Sequence, residues 1–291
     1  LENGANSSFV NAIVDTSQPV EALLPDPVET LQSLRNKYNT QIKLPVDLYG
    51  SERANSKGMD LTDIDSLTAF KANLDNWFSS HQLTAEQVPS GAIAVKNPAN
   101  HSEIIGHVTL HTSEQMQQLL QNADTAFASW SQIPVVDRAN LLRRIGDIIE
   151  RHHDELVALC IKEAGKVAQD GIDEVREAVD FCRYYAARAE ELAKDERFEP
   201  RGVILCISPW NFPLAIFTCQ IAAALAAGNA VLAKPAEQTP LTAAAMVALL
   251  HEAGVPRDAL QLVPGAGETV GAALVAHPLV AGVMFTGSTE V

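Results

Sequence analysis

Two short segments combine residue types that stabilise negative charge and bind hydroxyl groups. The first is Ser208-Pro209-Trp210-Asn211-Phe212-Pro213-Leu214, and the second is Lys234-Pro235-Ala236-Glu237. The Asn211 amide can donate to a developing oxyanion, where one such donor is worth about 3 kcal/mol. Alternatively, Asn211 caps a helix that begins near Leu214. A lysine and a carboxylate three residues apart, Lys234 and Glu237, can hydrogen-bond the two hydroxyls of a ribose.

Two small-residue turns extend this pattern. They are Gly265-Ala266-Gly267, with Gly271 following, and Thr286-Gly287-Ser288. Glycine turns let a backbone approach a pyrophosphate, and a hydroxyl can donate to it. The spacing departs from G-x-G-x-x-G, so each turn alone is also compatible with a purely structural role. Because four such groups follow four successive predicted strands, together they indicate a dinucleotide site.

The elements that must position these groups alternate regularly. The pattern predicts strands at 203–207, 230–233, 260–263 and 280–285, separated by helices at 214–227, 239–253 and 268–276. Such alternation predicts a parallel sheet with right-handed crossovers. Ligands of open α/β sheets bind at the carboxyl ends of the strands. We therefore predict an α/β fold, a Rossmann-like parallel sheet with flanking helices.

The chain before this sheet differs in composition and in its pattern of apolar residues. Residues 16–90 are rich in Pro, Asp, Asn and Ser and predict a linker or arm that contains one amphipathic helix at 63–80. Residues 91–200 predict a hairpin, from 92–95 and 104–108, followed by helices. These helices are expected at 113–130, capped by Ser113 or its rival Thr112, and at 137–152, 154–164 and 169–194.

Composition excludes several classes of protein. The chain has 21 Lys and Arg against 36 Asp and Glu, a formal charge of −15, which argues against a general nucleic-acid or anionic-membrane binder. No apolar run approaches the roughly 20 residues of a membrane span, and no secretory signal opens the chain. The four cysteines form no C-x-x-C pair, so we expect buried, reduced thiols, a cytoplasmic protein and no metal site.

Residues 90–291 resemble the NAD-binding half of the aldehyde dehydrogenase superfamily. The segments that carry the resemblance are 209–213, 234–240, 264–267 and 285–290, together with Glu163-Ala164-Gly165-Lys166. The resemblance implies that Asn211 is the oxyanion-hole amide and that Phe212 lines the aldehyde channel. It implies an NAD site made by Ile207, Ser208, Pro209, Trp210, Lys234, Glu237, Gly267, Gly271, Phe285, Gly287 and Ser288. In that site Lys234 and Glu237 hold the adenosine ribose, and Trp210 and Ser288 contact the pyrophosphate.

A narrower resemblance is to the bifunctional proline utilization A family. Residues 1–10 resemble the last helix of its proline dehydrogenase barrel, and 47–50 and 180–186 also look like that family. The implied domains are 1–15, the barrel remnant; 16–90, the linker; 91–200, the first part of the aldehyde dehydrogenase domain; and 201–291, a truncated NAD-binding domain. The implied substrate is L-glutamate γ-semialdehyde, with Glu163 either facing its channel or solvated.

The same resemblance implies what this stretch lacks. The family uses a cysteine nucleophile and a glutamate base, which its pattern places after Ser288, so we expect both beyond Val291. Cys206 lies mid-strand and is not expected to be that nucleophile. FAD belongs to the barrel, which would also give any peripheral membrane association, and the parent enzyme is expected to be a homo-oligomer. A non-catalytic NAD-binding module and a dehydrogenase of another semialdehyde remain the alternatives.

Overall fold

The computed structural model describes residues 13–19, 21, 24, 26–36, 39, 41–81, 83–195 and 197–288. The chain divides into two units, residues 1–44 and 45–291. The first unit contains a short helix, α1 (Pro27–Ser33), whose N-terminus is capped by the Asp26 carboxylate. The predicted match of residues 1–10 to a barrel helix lies outside the described residues.

The second unit begins with helices and a hairpin. These elements are α2 (Ile64–Ser80), β1 (Ile93–Asn97), β2 (Asn100–Val108), α3 (Ser113–Trp130), α4 (Val135–Arg151), α5 (His153–Ala164) and α6 (Ala168–Leu192). Strands β1 and β2 pair antiparallel. Helix α5 ends at Gly165, whose φ of 68° lies in the left-handed region that glycine tolerates.

A four-stranded sheet follows. Its elements are β3 (Val203–Ile207), α7 (Ala215–Ala226), β4 (Ala230–Lys234), α8 (Pro240–Ala253), β5 (Leu260–Leu262), a π-helical turn (Gly267–Gly271), α9 (Ala272–Val275) and β6 (Val280–Phe285). The strand order is β5-β4-β3-β6, and every neighbouring pair is parallel. The predicted α/β class with a parallel sheet is therefore confirmed.

Alternate side chains of the central strands enter two different cores, as the period of a strand requires. In β3, Ile204 and Cys206 join the large core that includes residues of α4 to α8. Val203 and Leu205 join a smaller core with Leu120 of α3. Because helices cover both faces, β3 reads as a continuous apolar run, which is typical of parallel sheets.

The structure corrects three predicted boundaries. Thr112, not Ser113, caps α3, because its hydroxyl accepts the Gln115 N–H at 3.3 Å. Strand β4 extends to Lys234, which pairs in register with Ile207. The helix predicted at 268–276 starts as a π-helical turn, since the Gly271 N–H donates to the Ala266 carbonyl at 3.2 Å. Within the described residues, no helix combines the length and apolar content that crossing a membrane requires.

Candidate functional site

The carboxyl ends of β3, β4 and β6 lie level with one another. Ile207 pairs with Lys234 on one side and with Phe285 on the other. Backbone hydrogen bonds continue past the strand ends: the Ser208 N–H donates to the Lys234 carbonyl at 3.2 Å, and the Thr286 N–H donates to the Ile207 carbonyl at 3.1 Å. The turns that carry the predicted site residues are therefore held side by side at one edge of the sheet.

Glu237 is the centre of a polar cluster at this edge. Its Oε1 accepts from Lys234 Nζ at 3.0 Å and from the Gly267 N–H at 2.7 Å. Burial raises the pKa of Glu237, but backbone N–H groups and the Lys234 ammonium outweigh that effect and hold it below the usual range. An ionised carboxylate beside an ammonium group and a backbone N–H suits two adjacent hydroxyls of a ligand.

Two glycines lie close to residues of the site. A Cβ on Gly271 would lie 3.4 Å from Lys234 Cε, an ordinary van der Waals contact with the lysine stem. In the neighbouring turn, a Cβ on Gly287 would lie 2.6 Å from Phe285 Cζ, closer than van der Waals contact allows. A side chain at 287 would therefore require the half-exposed Phe285 ring to shift, while Ser288 is the last described residue of the chain.

The turn after β3 presents Asn211 between two exposed aromatic rings. Trp210 is 54% exposed and Phe212 is 39% exposed. The alternative that Asn211 caps α7 is wrong, because the first N–H groups of that helix donate to Glu174 instead. Asn211 is exposed, and no hydrogen bond to its side chain is found within the described residues, which leaves the amide available to a ligand.

Glu174 and Lys166 contact this turn and the start of the helix that follows it. Glu174 Oε2 accepts the N–H groups of Leu214 at 3.2 Å and Ala215 at 2.8 Å. Its other oxygen, Oε1, pairs with Lys166 Nζ at 2.9 Å. The same ammonium group lies 4.3 Å from the centroid of the Phe212 ring. The sequence contains one signal for Glu174: it lies three residues after Gly171 and four before Ala178, on the apolar face of α6.

Glu163 caps the next crossover helix in the same way. Its Oε1 accepts the Leu241 N–H at 2.7 Å, and its Oε2 accepts the Thr242 N–H at 2.7 Å and the Thr242 hydroxyl at 2.6 Å. Burial raises the pKa of Glu163 to about 7, although these hydrogen bonds oppose the shift. At 3% exposure Glu163 is not solvated, and its bonds to α8 give no support to a place in the substrate channel.

The Gln220 side chain forms hydrogen bonds at the carboxyl ends of two neighbouring strands, β3 and β6. Its Nε2 donates to the Ile207 carbonyl at 3.0 Å and to Thr286 Oγ1 at 3.1 Å, and the residue is 4% exposed. In the sequence Gln220 is a single polar residue within an apolar stretch, and no role for it was predicted. A buried polar residue in an otherwise apolar helix needs a partner, and that requirement is the signal that would have identified it.

The cysteines do not supply a nucleophile to this edge. Cys160, Cys182 and Cys206 are buried, and Cys219 is partly buried with its Sγ 3.5 Å from the Tyr185 hydroxyl. Burial raises the pKa of all four thiols. Since the thiolate is the reactive form, none of these groups is activated for attack.

Comparisons with known proteins agree with this geometry. Residues 85–291 match the sequence profile of the Aldehyde dehydrogenase family. The bifunctional protein PutA of Klebsiella aerogenes is 47% identical over 302 residues, an alignment that covers 100% of this chain and 23% of that protein. The chain thus spans about a quarter of the length of the curated PutA relatives that it matches.

Two solved structures are also similar. A proline utilization A variant from Bradyrhizobium japonicum superposes with a TM-score of 0.76 at 40% identity and covers 100% of this chain and 28% of that one. A 1-pyrroline-5-carboxylate dehydrogenase from Thermus with bound NAD gives a TM-score of 0.73 at 30% identity, covering 81% of this chain and 50% of that one. The resemblance inferred from the motifs of residues 90–291 is therefore confirmed: the chain belongs to the aldehyde dehydrogenase family.

Proposed function

We propose that this chain supplies the cofactor site and the oxyanion donor of an NAD-dependent dehydrogenase. The reaction is the oxidation of L-glutamate γ-semialdehyde, the open form of 1-pyrroline-5-carboxylate, to glutamate. The observation that carries the proposal is the edge of the sheet, where the exposed Asn211 amide lies one strand away from the Lys234–Glu237 pair. The choice of substrate draws support from the names of the similar proteins, which include 1-pyrroline-5-carboxylate dehydrogenases and PutA.

The residues present fit the adenosine half of NAD. Glu237 engages only Oε1 in the contacts described above and is partly exposed, so Oε2 faces no described donor and can accept a ribose hydroxyl. Lys234, whose ammonium group donates to that carboxylate and to the Pro235 carbonyl at 3.2 Å, is proposed to donate its remaining proton to the other hydroxyl. Because a carboxylate repels a 2′-phosphate, we propose NAD rather than NADP. Trp210, Gly267, Gly271, Gly287 and Ser288 are proposed to line the rest of the cofactor.

Bound NAD supplies the hydride acceptor for the reaction. The Asn211 amide is proposed to donate to the aldehyde oxygen as negative charge develops on it, the role of an oxyanion hole. Phe212, beside Asn211 and 39% exposed, is proposed to form an apolar wall of the aldehyde channel, which excludes water from the reacting carbon.

The remaining steps of the proposed reaction need a nucleophile and a general base. Burial raises the pKa of all four thiols of this chain, so we propose that none of them is the nucleophile. We further propose that the nucleophilic cysteine and the general base belong to another part of the parent protein. That parent is proposed to be a cytoplasmic homo-oligomer whose FAD-containing domain oxidises proline. Within the 291 residues themselves we expect NAD binding without turnover.

The test uses the full-length polypeptide encoded by the reading frame that contains these residues. We expect it to reduce NAD, but poorly NADP, when L-glutamate γ-semialdehyde is supplied, followed by absorbance of the reduced cofactor. The Asn211→Ala variant should lower kcat by about 100- to 1,000-fold, the cost of losing one oxyanion donor. The matched control is Asn76→Ala, which removes an exposed amide on α2 and should retain the wild-type kcat.

Each alternative has its own outcome in this assay. Oxidation of a different semialdehyde, with none of the glutamate derivative, would leave the mechanism intact and overturn the substrate. Binding of NAD without oxidation of any member of an aldehyde panel would favour the non-catalytic module. A kcat that is unchanged in the Asn211→Ala variant would remove Asn211 from the chemistry.

A further inference from the structure

We propose that Lys166 and Glu174 form a positioning pair that holds the turn of residues 210–212 in the orientation that presents Asn211. This inference rests on the proposed function in one respect, the oxyanion role of Asn211. Neither residue touches the proposed reacting atoms, so both act through the turn. Lys166 lies on the connection between α5 and α6, and Glu174 lies on α6, so both are outside the sheet that the turn leaves.

The first observation is that the two ends of the turn are held in different ways. Its first end follows β3, which pairs with a strand on both sides. Its second end leads into α7, where the first N–H groups have no partner within the helix. Glu174 accepts two of them, from Leu214 and Ala215. The Glu174 side chain is 1% exposed, so no solvent competes for these bonds.

The second observation concerns the middle of the turn. Lys166 Nζ makes an ion pair with Glu174 and lies over the Phe212 ring, 4.3 Å from its centroid. A buried carboxylate is costly unless it is paired, and the ammonium group supplies that pairing. A cation over an aromatic face also holds the ring in place. Phe212 follows Asn211 directly, so a fixed Phe212 ring restricts the backbone that orients the Asn211 amide.

The third observation is that one carboxylate serves both contacts. Glu174 Oε2 binds the backbone after the turn, while Glu174 Oε1 binds the ammonium group that covers the ring inside the turn. A change at either residue should therefore loosen the same segment. The effect should also exceed what the loss of stability alone would cause, because the contacts converge on Phe212, Leu214 and Ala215 and not on the helix as a whole.

The first experiment uses the 291-residue chain and needs no activity. Hydrogen–deuterium exchange is followed in peptides that cover residues 208–218, and acrylamide quenching reports on Trp210 after Trp77 and Trp130 are replaced by Phe. We expect Glu174→Gln and Lys166→Met to speed exchange in these peptides about tenfold or more. Lys166→Arg keeps the cation over Phe212 and should restore most of the protection.

The matched control is Arg138→Met. Arg138 is a buried charge on α4 whose Nε donates to the carbonyl of Ala226, at the C-terminal end of α7, at 3.1 Å. This variant should lower overall stability without selective exchange in residues 208–218. Equal loss of protection in the control and in the Glu174 variant, or no loss in the Glu174 variant, would overturn the proposal. If Glu174→Gln does not fold, the Lys166→Met and Lys166→Arg pair decides the question.

The second experiment measures the full-length enzyme. Glu174→Gln should lower kcat roughly 100-fold, the effect of about 1 Å of misplacement, while KM for NAD changes less than about threefold. A parallel rise in KM for NAD with an unchanged kcat would contradict a positioning role. The wild-type enzyme could oxidise no aldehyde while the exchange results are as expected. In that case the proposed function would be wrong, and the proposal that Lys166 and Glu174 position the turn would still be supported.

Discussion

Glu163 and Glu174 are two buried carboxylates with the same structural task and different electrostatic surroundings. Each accepts the first N–H groups of a crossover helix, where the helix dipole favours negative charge. Glu174 is also paired with Lys166. The described hydrogen bonds of Glu163 come only from neutral donors on α8, and burial raises its pKa to about 7. Glu163 is therefore expected to respond to pH.

The sign of that response follows from the direction of the shift. A carboxyl group whose pKa is raised on folding stabilises the protein below its unfolded pKa and loses that contribution as pH rises through its folded pKa. From about pH 4.5 to about pH 7, the wild-type free energy of unfolding should therefore fall by up to roughly 3 kcal/mol relative to Glu163→Gln. Urea unfolding of both proteins at a series of pH values measures this difference.

The control for that series is Glu190→Gln. Hydrogen bonds and ion pairing with Arg143 hold the pKa of Glu190 below its usual value, so its contribution is lost only as pH falls below about 4.5. Between pH 5 and pH 8 the control should track the wild type with a constant offset. A constant offset for Glu163→Gln over the same range would show that Glu163 is ionised throughout.

Residues at the strand ends and residues that cap helices differ in how well the sequence predicts them. Asn211, Lys234 and Glu237 lie at or just after the carboxyl ends of strands in a parallel sheet, and the rule that these ends share one edge is enough to group them. Glu163 and Glu174 bind backbone groups 79 and 41 residues away. Such pairings depend on how the helical layer packs against the sheet, which no local pattern specifies.

At the scale of elements, α5 and α6 pack closely at one glycine. Gly171 of α6 lies against Val157 of α5, and a Cβ at Gly171 would be 2.8 Å from Val157 Cγ1. Valine is stiff about χ1, so it cannot easily rotate away. The close contact holds α5 and α6 together on either side of the connection that carries Lys166.

Gly171→Ala should therefore destabilise the protein although alanine favours helix. Overpacking costs about 1–3 kcal/mol, and the gain in helix propensity is about 1 kcal/mol. Val157→Ala removes the obstructing methyl groups, so the double variant should be more stable than the sum of the two single changes predicts. A double-mutant cycle by chemical denaturation measures the coupling, and strict additivity would contradict the proposed clash.

The elements themselves were mostly predictable. Strands β3 and β6 were placed at their observed bounds, because apolar runs between turn residues determine both. The segment 267–275 was not, since its apolar residues fit a single helix while the residues from Gly267 to Gly271 form a π-helical turn. Thr112 differs from Ser113 in having a glutamine three residues on, and Gln115 completes a capping box with Thr112 that Met116 could not complete with Ser113.

At the scale of the whole molecule, the second unit includes the segment before α2. Asp180 of α6 accepts the N–H and hydroxyl of Ser56, at 2.9 and 2.8 Å. Arg183 donates to the Asn55 carbonyl at 3.2 Å and to Glu150 at 3.1 Å. These buried and partly buried contacts attach residues 55–57 to the helical layer, in line with the start of the second unit at residue 45.

Removal of residues 1–44 should consequently leave the second unit folded. We expect residues 45–291 to melt within about 2 °C of the 291-residue chain, because the core of that unit is its own. Differential scanning calorimetry makes the comparison. A matched deletion of residues 1–58, which also removes the Ser56 contacts, should lower the melting temperature clearly, and an equal loss in both deletions would contradict this boundary.

The two carboxylate caps have a consequence for how the chain folds. Until α7 and α8 dock, Glu163 and Glu174 have no backbone donors, and until α5 and α6 are in place, the first turns of both crossover helices lack acceptors. Each half would carry unsatisfied polar groups if it collapsed alone, a penalty that disfavours a half-formed intermediate. The contacts also span 41 and 79 residues, so loop closure precedes them. The helical layer and the sheet are thus expected to consolidate slowly and together, in one cooperative step.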